Sequence, residues 1–404
     1  MLIRPRDLAA LAAANPALDA WAIERRRALH RRPELSGQER ETQAYLQAEL
    51  EALGIERLPC GAGRAVAGLI RGALPGPTVA LRADMDALPV EEPEGTPFRS
   101  ERPGVMHACG HDAHMAALLG AARLLMAHTE RMPGSVKLLF EPAEETSGGA
   151  REMIAAGCMA NPTVNAVVGL HVSPALPAGH MSVRPGVAHG SSDAVALTLR
   201  GRAGHAAYPE QGVDAIAIAA QVITALQTLV SRETSPLDSA VLSLGVIEGG
   251  TTSNILCDRV TVRGTLRTLL PETRDRLRRR VAEVTEGVAR ALGGEGEATL
   301  TEGYGPVIND PALTGRALEL GRAMLGADRV RAAERPSLGV ESFSFFAREA
   351  RGLFWNIGCG LGPPLHAREF AVDEACIPAA ARVQAALAWE LLLLLSTKEL
   401  STKE

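Results

Sequence analysis

The sequence predicts an α/β fold: a mostly parallel-sheet domain interrupted by a smaller inserted α+β domain. Three observations predict it. Helical and strand patterns alternate through residues 18–170, alternating strands and two longer helices follow over 192–303, and the chain then returns to segments of the first kind. An amphipathic helix over 18–30 stops at Pro33, and a second helix covers about 39–53. Residues 78–83, 136–140 and 166–170 are short apolar runs of the kind that fill a buried sheet, and an Ala/Leu/Met helix over about 112–128 separates the first two. Open sheets of this kind put their sites just beyond the carboxyl ends of the strands. Asp84 and Asp86 follow the first run, Glu141, Glu144 and Glu145 the second, and His171 the third.

The inserted part reads as a strand at 194–199, a helix at 213–230, strands near 241–247 and 259–268, a charged helix at 272–292 and a short strand near Ala298. The expected division is therefore 1–191 with 304–395 for the larger domain and 192–303 for the insert, within ordinary domain size. His366 reaches the site only because the chain rejoins the first domain after Gly305. The end repeats itself, STKEL then STKE, so 396–404 are expected to be a disordered tail.

Composition narrows the function classes. With 404 residues and 46% apolar content, both domains can hold a core. A formal charge of -5 and a pI near 6.1 lack the basic excess that binding a phosphate backbone requires, so nucleic acid is excluded as a partner. The apolar run 391–395 ends a helix-like stretch that contains Gln384 and Glu390, so no membrane span is expected. Asp7 and Asp19 in an Ala-rich start do not resemble a secretion signal. Six cysteines spread thinly over the chain read as thiols, and together these features predict a cytoplasmic protein.

The densest chemical signal is His107-Ala108-Cys109-Gly110-His111-Asp112-Ala113-His114, five potential ligands in eight residues. Thiolate and imidazole together suit zinc, cobalt, nickel or manganese. Cys109 and His111 lie two apart at a strand-to-helix turn, and Gly110 lets the backbone turn between them. Glu144 and Glu145, adjacent in a Gly-rich loop, can divide the work, one holding an ion and the other a proton. With His171 and His366, the residues Cys109, His111 and Glu145 make a set sufficient for two divalent ions sharing solvent. Cys109 as a nucleophile with a histidine is the rival reading of the same cluster.

At these residues the chain resembles the M20 metallopeptidase and amidohydrolase family, in the branch of hippurate hydrolases, N-acyl-amino-acid aminoacylases and auxin-conjugate hydrolases. The likeness spans nearly the whole chain. It runs from Arg26-Arg27-Ala28-Leu29-His30-Arg31-Arg32-Pro33-Glu34-Leu35-Ser36 through Arg82-Ala83-Asp84-Met85-Asp86-Ala87-Leu88-Pro89, the Cys109 to His114 motif and Glu144-Glu145. It continues through Gly204-His205-Ala206-Ala207, Gly249-Gly250-Thr251-Thr252-Ser253-Asn254 and Gly264-Thr265-Leu266-Arg267-Thr268 to His366.

The resemblance implies a metal-binding catalytic domain, an inserted lid that often dimerises, and hydrolysis of the amide bond of small N-acyl amino acids. It makes Cys109, His111, Glu145, His171 and His366 the ligands, Glu144 the general base and Asp86 a supporting carboxylate. His205 becomes a donor to the oxyanion, Asn254 and Arg267 become candidates for gripping a substrate carboxylate, and a homodimer or higher homo-oligomer forms through the lid. His30 is expected to tie the first helix to the Pro33 turn. Two departures stand out: Gly339-Val340-Glu341-Ser342-Phe343 where the family commonly has Gly-Ser-Glu-Asp-Phe, and Tyr208-Pro209-Glu210 where it has Met and His. Both are expected to bear on substrate choice rather than chemistry. A dipeptidase, an N-acetyl-diaminopimelate deacetylase and a non-catalytic ligand-binding member are the alternatives within the resemblance.

Overall fold

The computed structural model describes residues 4–61 and 63–397. The chain forms two compact units. The first runs to Ala188 and resumes over Ile308–Arg335 and from Ser342 onward, and the second comprises His189–Val307 with Pro336–Glu341. The brief second visit by 336–341 has no counterpart in the sequence patterns.

The first unit is built on one eight-stranded sheet, in the order Glu56–Leu58, Val66–Arg71, Pro133–Glu141, Leu74–Asp84, Ala166–Ser173, Arg351–Gly358, Met181–Val183 and Val330–Ala332. The four central strands, from Pro133–Glu141 to Arg351–Gly358, run parallel to one another. Antiparallel strands flank them, Val66–Arg71 on one side and Met181–Val183 on the other. The central strands are buried along most of their length, which is why they read as apolar runs rather than alternating ones.

Alternation along Ala166–Ser173 sends Val168 and Leu170 into the main core. Gly169 faces the other way, where a Cβ would lie 2.7 Å from the Phe343 ring. Helix Phe343–Glu349 therefore covers one face. The main core on the opposite face includes His111–Met126, which packs against Pro16–Arg31 and Cys376–Ser396.

The helices begin where their caps allow. Asn15 accepts from Leu18 N to start Pro16–Arg31, with Pro16 at the first helical position, where its missing N–H costs nothing. Cys376–Ser396 has the length and apolar content of a membrane span, yet it lies mostly buried in this core, with Gln384 and Glu390 each 1% exposed. Glu390 is paired with Arg316 of helix Pro311–Leu325. The tail expectation changes at its start: Ser396 is the last residue of this helix and Thr397 caps it, while 398–404 lie outside the described residues.

The second unit is an antiparallel sheet in the order Glu295–Glu302, Ser191–Arg200, Arg259–Thr268 and Ala240–Gly249, with helices Ala215–Ser231 and Pro271–Ala291. Burial along Ser191–Arg200 alternates, and Val195, Leu197 and Leu199 meet Ile218, Val222, Leu277 and Val281 in its core. Ala240–Gly249 is an edge strand, and it leaves Val241, Val246 and Ile247 exposed.

Candidate metal centre

Four stretches of the first unit converge at the carboxyl ends of its central strands. Gly110 makes the turn that starts His111–Met126: its φ is +84°, and a Cβ there would lie 2.5 Å from Val172 Cγ2. A glycine is required on both counts. Among the described residues, two non-glycine positions have positive φ, Ala143 at 56° and His366 at 68°. One immediately precedes Glu144 and the other is itself an expected ligand, so backbone strain is concentrated at this cluster. Hydrogen bonds hold both: Gly148 N donates to Ala143 O at 2.8 Å, and His366 N donates to Ala108 O at 2.9 Å.

The five expected ligands come together. Cys109 Sγ lies 3.4 Å from His171 Nε2 and 3.3 Å from His366 Nε2. Glu145 Oε1 lies 3.3 Å from His366 Nε2 and 3.8 Å from His111 Nε2. Cys109, His111 and His171 form one group and Cys109, Glu145 and His366 another, each with ligand atoms within 4.8 Å of one another. Cys109 belongs to both.

The residues fit divalent cations by three separate observations. First, His111 Nδ1 donates to Asp86 O at 2.8 Å, which leaves Nε2 as the nitrogen available to an ion, and among the described residues this buried atom and buried Glu145 Oε1 have no hydrogen-bond partner. Second, His171 Nδ1 donates to Val172 O at 2.7 Å, and burial with His114 nearby lowers its pKa to about 3, leaving a neutral imidazole whose Nε2 faces Cys109. Third, the local field is negative. Burial opposes a charge on His111, but Asp84, Cys109 and Asp86 outweigh it and raise its proton affinity well above the ordinary value. Burial pushes the Cys109 thiol well above its usual range, so a nearby cation is what would make it a thiolate. Glu145 is pulled down to about 2, since His366 and His111 outweigh its desolvation.

Glu144 is also in the cluster, 7% exposed, and its Oε1 accepts from Ser342 N at 3.1 Å. It groups with His111 and Glu145 within the same 4.8 Å limit. Asp86 is a hub below the ligands. Its Oδ2 accepts from Glu145 N at 3.0 Å and from Ser36 Oγ at 2.7 Å, while its Oδ1 lies 3.2 Å from His111 Nδ1.

Several participants were not singled out from sequence. Arg82 is fully buried and reaches Asp84 Oδ2 at 2.6 Å, Glu141 Oε2 at 2.6 Å and Ser342 Oγ at 2.8 Å. Ser342 was expected to affect substrate choice. Instead it is fully buried between Arg82 and Glu144, so this departure from the family pattern directly contacts the expected base. His30 also differs from expectation: rather than tying its helix to the Pro33 turn, it bridges Asp112 Oδ2 at 2.9 Å and Glu92 Oε1 at 3.0 Å.

His205, Asn254 and Arg267 belong to the second unit. His205 and Asn254 are neighbours, through a bridge between His205 and Ile255 and a 3.1 Å bond from Ala206 N to Asn254 O. Arg267 donates to Leu338 O at 3.1 Å near the other end of the sheet, where it pairs with Val241. Asn254 lies beyond the end marked by the Val260–Gly249 pair, so about 25 Å of strand separates the two. A single small carboxylate is therefore not gripped by both within one chain.

Residues 80–390 match the model of peptidase family M20/M25/M40. The chain belongs to this family. As a family member it is a metal-dependent hydrolase of amide bonds. Over 361 residues it is 38% identical to the N-acetyl-L-cysteine deacetylase of Bacillus subtilis, covering 89% of this chain and 85% of the relative. Over 407 residues it is 37% identical to the IAA-amino acid hydrolase ILR1-like 4 of Arabidopsis thaliana, covering 98% and 91%. The Bacillus subtilis YXEP protein, described as a dinuclear metal binding peptidase of the M20 family, superposes with a TM-score of 0.84 at 33% identity, covering 94% of this chain and 99% of that one.

Proposed function

We propose that this M20 chain is a two-ion amidohydrolase that cleaves the amide bond of N-acyl amino acids, with Cys109, His111, Glu145, His171 and His366 as ligands. The observation that carries the reading is the pair of three-residue ligand groups sharing Cys109, with Glu144 beside them. The two named relatives, for N-acetyl-L-cysteine and for IAA-amino acids, support a substrate in which an acyl group is joined to an amino acid. The mixture of sulfur, nitrogen and oxygen donors suits manganese, zinc, cobalt or nickel. Two such ions supply Lewis acidity, which polarises a carbonyl and lowers the pKa of water.

The chain's own residues do the rest. Glu144 takes a proton from the attacking water as its oxygen bonds to the amide carbon, and returns it to the departing amine nitrogen as the C–N bond breaks. The backbone N–H of Ser342 orients Glu144 for both transfers, and Asp86 holds His111 and the amide of Glu145. His205 accepts from Ala207 N through Nδ1 at 3.0 Å, which leaves its proton on Nε2 and suits it to donate to an oxyanion. We assign Arg267 or Asn254, but not both from one chain, to the substrate carboxylate.

Cytoplasmic residence is part of the reading, supported by six cysteines carried as free thiols. A homodimer is supported by the open edge strand Ala240–Gly249 with its exposed Val246 and Ile247.

The test uses metal-reconstituted protein on a panel of N-acetyl and N-benzoyl amino acids and free dipeptides. Acylated amino acids are expected to turn over fastest, chelator to abolish the activity, and a divalent ion to restore it. Glu144→Gln is expected to keep its metal and lose about 10²–10⁴ in kcat. Chelator-insensitive hydrolysis would remove the metal reading, and an active Glu144→Gln would remove the base.

A further inference from the structure

His114 has the composition of a ligand and the hydrogen bonds of something else. Its ring is fully buried, with its centroid 4.6 Å from that of His171 and 5.4 Å from that of His111. Asp84, His111 and His114 even form a three-residue group as tight as those that share Cys109.

The proton positions decide against ligation. Val172 N lies 2.9 Å from His114 Nε2, and an amide N–H can only donate, so Nε2 accepts. The ring proton is then on Nδ1, which donates to Asp84 Oδ1 at 2.6 Å. Neither nitrogen remains for an ion. Asp84 is fixed in turn, since Arg82 donates to its Oδ2 at 2.6 Å.

The place where His114 acts has a backbone reason. Strand Ala166–Ser173 pairs with Leu74–Asp84 only as far as Arg82 opposite Gly169, and beyond that the amides on this side have lost their strand partner. Val172 N–H would be a buried orphan there, at a cost of about 1–3 kcal/mol. His114 Nε2 replaces the missing ladder acceptor, one residue after His171.

We propose that His114 is a positioning residue: an Nδ1-protonated imidazole clamped between Asp84 and the Val172 amide, which fixes the strand end that presents His171 to its ion. The proposal rests on the two-ion reading above. It differs from it in assigning no metal bond to His114 and in predicting a defect confined to one of the two ions.

Two measurements test it. Titration of metal-free protein with Co²⁺, followed by the visible absorption of the bound ion, is expected to give two ions in wild type. In His114→Ala one of them should bind about 10–100-fold more weakly, the loss typical when the partner of a ligand is removed, with the other unchanged. Equal affinities in wild type and variant would overturn the proposal, whereas a wild type that binds no ion would overturn the two-ion reading instead. Should the variant fail to fold, ¹⁵N-histidine spectra of wild type loaded with Zn²⁺ decide. A neutral His114 protonated on Nδ1 is expected, and an Nε2-protonated or zinc-shifted ring would overturn the assignment.

Discussion

His366 Nε2 stands 3.3 Å from Cys109 Sγ although 257 positions separate them in the chain. The contact exists because the His366 amide is bonded to Ala108 O, which sets the loop against the turn carrying the thiol. Cys109 is thus the shared member of both ligand groups, and its loss is expected to be felt at both. Cys109→Ala should weaken each ion by at least about tenfold, since even an outer partner of a ligand has that effect. Elemental analysis after dialysis checks this, and two ions per chain in the variant would leave Cys109 without a role.

The candidate ligands were legible because cysteine and histidine are scarce in this chain, six and ten residues, and because Glu144-Glu145 and His171 follow or end apolar runs. What supports them was not. Arg82, Asp84 and His114 join through bonds between a strand, a helix start and a second strand, and nothing in their local spacing reveals which nitrogen faces which oxygen. Ser342 is read from sequence as a pocket residue because its neighbours were judged by position in a motif, while its actual partners, Arg82 and Glu144, lie far away in the chain. Strand Arg351–Gly358 escaped for another reason: Arg351, Gly352, Asn356 and Gly358 interrupt its apolar residues, so it shows neither an unbroken apolar run nor a clean alternation. The helices and strands of the second unit were easier, since Ser191–Arg200 has one buried face and shows its period.

Ser342 offers the next test. Its hydroxyl accepts from the buried Arg82 guanidinium while its amide holds Glu144. Ser342→Ala removes an acceptor from a buried donor and should cost about 1–3 kcal/mol in stability. The amide survives the change, but the segment that presents it loses its anchor, so kcat should fall while KM and metal content stay near wild type. Urea denaturation and Michaelis kinetics measure both effects. A variant with normal stability and normal kcat would leave the Arg82–Ser342 bond without consequence.

His30 is expected to make the chain's stability depend on pH. Burial disfavours its charge, but Asp112 and Glu92, one at each ring nitrogen, outweigh that and raise its pKa to about 9, while Arg26 opposes them. A group whose folded pKa exceeds its unfolded value of 6.5 stabilises fully below the unfolded value and loses that contribution as pH rises through the folded one. The window is therefore about pH 6.5 to 9, and the contribution is about 3 kcal/mol. Other groups titrate at its upper end, so the quantity to measure is the difference in unfolding free energy between wild type and His30→Gln, in urea from pH 6 to 10. That difference should shrink by about 3 kcal/mol across the range. If it stays constant, the histidinium between Asp112 and Glu92 contributes nothing that depends on its proton, and helix Pro16–Arg31 is held to the start of His111–Met126 by the Arg26–Asp112 pair instead.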